Sequence, residues 1–137
     1  MKKKILSLLL VGIMCLSMVA CAGEEKVQEP TQEELLESAI EINGDDLRYA
    51  VIENSARAEL DYEGKVVVLT SVVRRIESTY VDVSHELSNG YPLNSISVYL
   101  PKEVLAELNK GDTITVMGTL EGIVSFPKIK DATIITE

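Results

Sequence analysis

The chain has 137 residues, with 22 acidic side chains against 13 basic ones, for a net charge of −9 at pH 7. A hydrophobic fraction of 46% allows one small domain with one core. The negative balance argues against bulk DNA or RNA as a partner, since counterion release needs clustered Lys and Arg.

Lys2, Lys3 and Lys4 precede Ile5–Ala20, an almost wholly apolar run of roughly 16 residues, short of the ~20 that a helix needs to cross the hydrocarbon core. Residues 1–20 therefore read as a secretory signal peptide. Met18-Val19-Ala20-Cys21 resembles the bacterial lipoprotein lipobox, a small residue followed by Cys, with Met18 where Leu is usual. The resemblance implies cleavage before Cys21 and a diacylglycerol thioether on it. The protein would then be anchored by lipid to the extracytoplasmic face of the cell membrane, or to the outer membrane if the organism has one. Two acyl chains anchor stably where one is marginal, at about 0.8 kcal/mol per buried CH2. The alternative is an ordinary signal peptide with Cys21 as an incidental thiol. Cys15 leaves with the leader, so the mature chain has no cysteine pair for a disulfide and no free thiol. Losing the three lysines takes the net charge to about −12, and the domain is repelled from an anionic membrane surface.

Residues 21–31, rich in Gly, Glu, Lys, Gln and Pro, read as a flexible tether, and 32–137 as the folded domain. Thr31 with Glu34 forms a capping-box pattern that predicts a short helix over Gln32–Ala39. Asn43-Gly44 is a turn signal. A longer helix follows, with Asp45 and Asp46 at its positive end and Leu47, Ala50, Val51, Asn54 and Ala58 on one face. Asn54 on that face reads as a buried amide bonded to backbone, or as a ligand contact.

After Gly64 the period changes to two. "KVVVLTSVVRRIES" predicts a long strand with Val67, Leu69, Ser71 and Val73 facing inward, and Val66, Val68, Thr70, Val72 and Arg74 outward. Ile76 is out of step, which requires a bulge near Arg74–Arg75. "TYVDVS" is a second strand, with Val81 and Val83 inside and Tyr80 and Asp82 outside. Ser88–Pro92 reads as a loop. "NSISVYL" is a third strand, with Ser95, Ser97 and Tyr99 outward. Pro101–Gly111 predicts a short helix with Val104, Leu105 and Leu108 as its apolar stripe. "DTITVMGTLEG" is a fourth strand, "IVSFPKIK" a connection or an extension of that strand, and "DATIITE" a fifth strand. Alternation alone indicates a small barrel or sandwich. A helix between strands three and four selects a five-stranded Greek-key OB-fold barrel at about 65–137, mainly β, preceded by an N-terminal helix.

Glu53–Val73 and Asn109–Gly122 resemble the OB-fold domain of bacterial lipoproteins grouped as tRNA-anticodon-binding-like. Asn54, Ala58, Tyr62, Gly64, Lys65, Gly111, Asp112 and Gly118 stand at matching places, while Ser71 occupies a position where that group often has glycine. The resemblance runs from about Asp45 to the end. It implies turns, caps and close packing, and carries over no catalytic residue.

His85 is the sole histidine, and with no free cysteine a zinc site lacks its ligands. No nucleophile elbow, EF-hand or phosphate loop occurs. The expectation is a protein without catalytic residues, metal or cofactor. What remains is the outer OB face: Thr70, Val72, Arg74, Tyr80, Asp82, Ser97 and Tyr99, flanked by Glu77, Ser78, Ile123, Phe126 and Lys128 in the loops. Two tyrosines and an arginine could stack a sugar, base or peptide ring, or Tyr80 and Tyr99 could simply pair across strands on a solvated sheet. Three roles follow. One is a non-catalytic module binding an envelope protein or small ligand; another is a single-strand oligonucleotide binder, for which this face is poor in aromatic and basic residues; the third is a structural assembly subunit.

Overall fold

Thr31 opens the first helix with the reciprocal bonds of a capping box. Its hydroxyl accepts from the Glu34 N–H at 3.3 Å, and the Glu34 carboxylate accepts from the Thr31 N–H at 2.9 Å. This helix, α1, spans Gln32–Ser38. The computed structural model describes residues 28–136, so the signal peptide, Cys21 and most of the predicted tether lie outside the described residues.

A three-residue strand, β1 (Ile40–Ile42), lies between the first helix and the Asn43-Gly44 turn signal, where the sequence reading gave no element, and pairs in parallel with Val67–Leu69. Helix α2 then runs over Gly44–Tyr62. The Asn43 side chain caps it by accepting from the Asp46 N–H at 2.7 Å. At Asn54 the backbone is extended (φ −160°, ψ 92°), and the helix is two segments rather than one. The Asn54 side-chain oxygen accepts from the Arg57 N–H at 3.1 Å and caps the second segment. The expected buried amide is thus corrected: Asn54 does bond backbone, but from an exposed position. A short amide that competes for nearby N–H groups favours a helix start over a helix interior.

Five strands make the barrel: β2 (Val66–Ile76), β3 (Tyr80–Val83), β6 (Ile96–Tyr99), β7 (Thr113–Glu121) and β8 (Lys128–Ile134). Neighbours run β2-β3-β6-β8-β7, and β2 pairs again with β7 to close the ring. Only β6–β8 is parallel among these pairs. This is the expected OB-fold order, with a helix before it. Between β3 and β6 the predicted loop is a hairpin, β4 (Glu86–Ser88) and β5 (Tyr91–Leu93). Asn89 and Gly90 have φ of 52° and 81°, as a two-residue primed turn requires. The helix before β7, α3, covers only Lys102–Leu105, because the next turns use i→i+3 bonds (Glu107 to Val104, Leu108 to Leu105). The last strand begins three residues earlier than the "DATIITE" reading, so Lys128–Lys130 belong to it rather than to the connection.

The inward set of β2 is as expected, with Val67, Leu69, Ser71 and Val73 all buried. Val81, Val83, Ile96, Val98, Val116, Leu120 and Ile129 join them in the barrel interior at 1% exposure or less. Each such side chain contributes about 1.5–3 kcal/mol by burial. Leu47, Val51 and Ala58 of α2 and Leu105 of α3 belong to the same cluster. Gly118 permits the β7–β8 approach: a Cβ there would meet Ile129 Cγ2 at 2.5 Å and the Lys130 carbonyl at 2.6 Å.

One edge of β2 changes partner along its length. β1 covers Val67–Leu69, and β3 takes over from Val73. In the gap, His85 Nε2 donates to the Thr70 carbonyl at 2.7 Å, and the Ser84 N–H donates to the Val72 carbonyl at 3.0 Å. The sole histidine therefore completes a strand edge.

Candidate functional site

The register of β2, β3 and β6 sets two rows of side chains on the outer face. Arg75 faces Asp82, which faces Ser97, and Tyr80 faces Tyr99. The two tyrosine rings lie 5.5 Å apart, tilted by 36°, within the range of favourable aromatic pairs.

The predicted bulge is present between Val73 and Arg75. Two residues of β2 oppose one of β3 there, so Arg74 and Arg75 are both turned to this side. Arg74 is spent on scaffolding, its Nε donating to the Ser84 carbonyl at 2.9 Å and its Nη2 to the His85 carbonyl at 3.0 Å. Arg75 is the arginine on the row. Its Nε and Nη2 donate to Asp82 Oδ2 at 3.0 and 2.6 Å, and Glu77 Oε1 lies 3.4 Å from Nε. The hydrogen bond and then the charge of Asp82 raise the Arg75 guanidinium above its ordinary pKa. Asp82 also accepts from Ser97 Oγ at 2.6 Å. The sequence placed Asp82 outward. It is on the outer face but only 8% exposed, because Arg75 and Ser97 close over it.

These rows floor an open groove of about 1070 Å³. The β4–β5 hairpin contributes Tyr91, the first segment of α2 contributes Arg48, and the β7–β8 loop contributes Phe126. Glu63, just past α2, holds that loop, its two oxygens accepting from the Gly122 and Ile123 N–H groups at 2.8 and 3.2 Å. Gly122 has φ +67°, and a Cβ on it would sit 2.7 Å from the Phe126 carbonyl. Phe126 is thereby presented at 85% exposure.

Of the residues the sequence singled out, Arg74, Tyr80, Asp82, Ser97, Tyr99, Ile123 and Phe126 line this one groove. Thr70 does not. Its hydroxyl pairs with Thr115 Oγ1 at 2.8 Å, and it borders a separate hollow of about 400 Å³ with His85 and Tyr62. Lys128 is half-buried on β8 and does not line the groove. The groove adds Arg48, Arg75, Tyr91 and Lys110, which sequence reasoning left out. Two of these had a signal: the bulge implied that Arg75 shares the side of Arg74, and Asn89-Gly90 between apolar residues marks a hairpin that would carry Tyr91. Arg48 and Lys110 lie on exposed positions with no pattern to single them out.

The resulting chemistry differs from that of the chain as a whole. Among the described residues, four of the six Tyr and Phe rings of the sequence line the groove, with three of the four arginines and Lys110, against a single carboxylate, Asp82. Among the described residues, no group of three or more His, Cys, Asp or Glu side chains could hold a metal ion. None of the described helices is long and apolar enough to cross a membrane.

The tRNA_anti-like family model matches residues 1–132. The chain belongs to the tRNA_anti-like family. Its family positions serve the scaffold: Asn54 caps, the Asp112 carboxylate accepts from the Asn109 N–H at 2.7 Å, and Gly118 lets β7 and β8 close. Among solved structures, this tRNA_anti-like chain is similar to a lipoprotein of Klebsiella pneumoniae provisionally described as nucleic acid-binding. Identity is 16% and the TM-score 0.57, over 79% of this chain and 100% of that one. A protein of Leishmania major provisionally described as an aspartyl-tRNA synthetase matches at 14% identity and a TM-score of 0.40, over 90% of this chain and 26% of that one. No curated protein matches.

Proposed function

We propose that this tRNA_anti-like chain is a non-catalytic binding module, held outside the cytoplasm by lipid on Cys21, whose groove takes a short single-stranded oligonucleotide. The observation that carries the reading is the local reversal of charge: four cationic side chains and four rings converge on one face of a chain of net charge −9. Rings stack bases without regard to sequence, and cations track the backbone. The position suits an OB-fold, which binds across this face and its flanking loops. The fold likeness to a lipoprotein described as nucleic acid-binding points the same way. The remaining negative surface repels long polyanions and limits the ligand to what the groove itself holds.

The test is titration of fluorescent oligothymidylate into the full-length protein in detergent micelles. Binding at low salt that weakens in the Tyr80→Ala and Tyr99→Ala variants, by about 1–3 kcal/mol for each stacked base, supports the reading. No binding at low salt, where electrostatics are strongest, ends it. Mass spectrometry of the purified protein checks the anchor, the expected product beginning at an acylated Cys21.

A second reading, an envelope protein as partner, is favoured by exposed apolar side chains that do not line the groove. Tyr49, Ile52 and Leu60 on α2 are 64, 67 and 79% exposed. Site-specific crosslinking in cells from Ile52 and, separately, from Tyr99 distinguishes the two surfaces.

A further inference from the structure

We propose that Asp82 is an internal anion that occupies Arg75 in place of a ligand phosphate and so sets the affinity and selectivity of the groove. The inference rests on the reading of the groove given above. Asp82 stands at the centre of the outer face, between Arg75 on β2 and Ser97 on β6. Both of its oxygens are satisfied, Oδ2 by Nε and Nη2 of Arg75 and Oδ1 by Ser97 Oγ. Among the described residues it is also the single carboxylate lining the groove. The Arg75 side chain remains 62% exposed while two of its nitrogens are engaged.

A guanidinium presents the same planar fork to a carboxylate as to a phosphate. An incoming phosphate therefore competes for Arg75 with Asp82, which makes both hydrogen bonds, and with Glu77 at 3.4 Å, instead of adding to them. Ser97 holds the carboxylate from the other side, so Asp82 is fixed rather than free to swing away. The adjoining tyrosine pair is not blocked in this way. The face accordingly rewards ligands that stack on Tyr80 and Tyr99 and gives little to those that are merely anionic, a discrimination built from an opposing charge as well as from attraction.

The experiment compares wild-type full-length protein with Asp82→Asn in detergent micelles. Inorganic phosphate is titrated while the Arg75 Nε–H signal is followed by heteronuclear NMR, and oligothymidylate binding is measured across a salt series. In Asp82→Asn the Arg75 signal responds to phosphate at about tenfold lower concentration than in wild type, and oligothymidylate binds about tenfold tighter. The slope of log K against log salt steepens by about 0.7, the increment for one added phosphate contact on a single strand. An equal phosphate response of Arg75 in both proteins overturns the proposal, and so does unchanged or weaker oligothymidylate binding in a variant that does bind the strand. If neither protein binds oligothymidylate but phosphate still separates them at Arg75, the functional reading fails and the Asp82 proposal stands. Asp82→Thr, a strand-forming residue able to pair with Ser97, provides the same comparison if the asparagine variant does not fold.

Discussion

Asn54 ends one helical segment and starts the next. Its side chain caps Arg57 while its own backbone leaves the helix. Asn54→Ala removes the cap and is expected to lower the unfolding free energy by about 1 kcal/mol in urea denaturation. Asn54→Asp, which keeps a capping oxygen, retains most of it, and neither change should alter oligothymidylate affinity, since Asn54 does not line the groove. An apolar spacing that ran through position 54 could not reveal this, because one helix and two capped segments place Leu47, Val51 and Ala58 inward equally well. The arginine pair is a similar case. The bulge was legible from Ile76 being out of step, but which arginine would be tied to backbone carbonyls depends on Ser84 and His85, ten residues on.

Among the elements, the barrel strands were legible because half-buried strands alternate, and β2 shows that alternation over seven residues. β1 was not: three residues carry too little pattern, and its partner lies more than twenty residues away. The hairpin escaped because its residues are exposed on both faces, so no inward–outward contrast marks its strands. The β7–β8 loop depends on a contact that sequence could not foresee, the Glu63 carboxylate on the Gly122 and Ile123 amides. Glu63→Ala frees those donors. Hydrogen exchange should then accelerate more at Gly122 and Ile123 than at the central amides of β2, which report only the global change, and oligothymidylate affinity should fall severalfold as Phe126 loses its fixed position. The cost in global stability is about 1–3 kcal/mol, the range for losing hydrogen bonds to a charged group.

For the whole molecule, the decisive quantity is the distribution of charge rather than its sum. The net −9 describes the average surface, but the fold gathers Arg48, Arg75 and Lys110 from positions 62 residues apart at the extremes onto one face. No linear reading of composition contains that convergence. If these cations meet phosphates, Arg48→Ala and Lys110→Ala should each reduce the salt slope of oligothymidylate binding by about 0.7. Slopes that stay at the wild-type value would show that the two side chains are spectators.

The β2 edge joined in turn by β1, the His85 imidazole, the Ser84 amide and β3 bears on how copies of this protein tolerate one another. An uncovered strand border is a template on which a neighbouring chain can add its own strand and begin polymerising. Here the longest of the described strands offers no such foothold along that border, and one imidazole fills the place where two short strands fail to meet. A neighbouring chain therefore finds the Thr70 and Val72 carbonyls already taken, one by an imidazole and the other by a backbone amide.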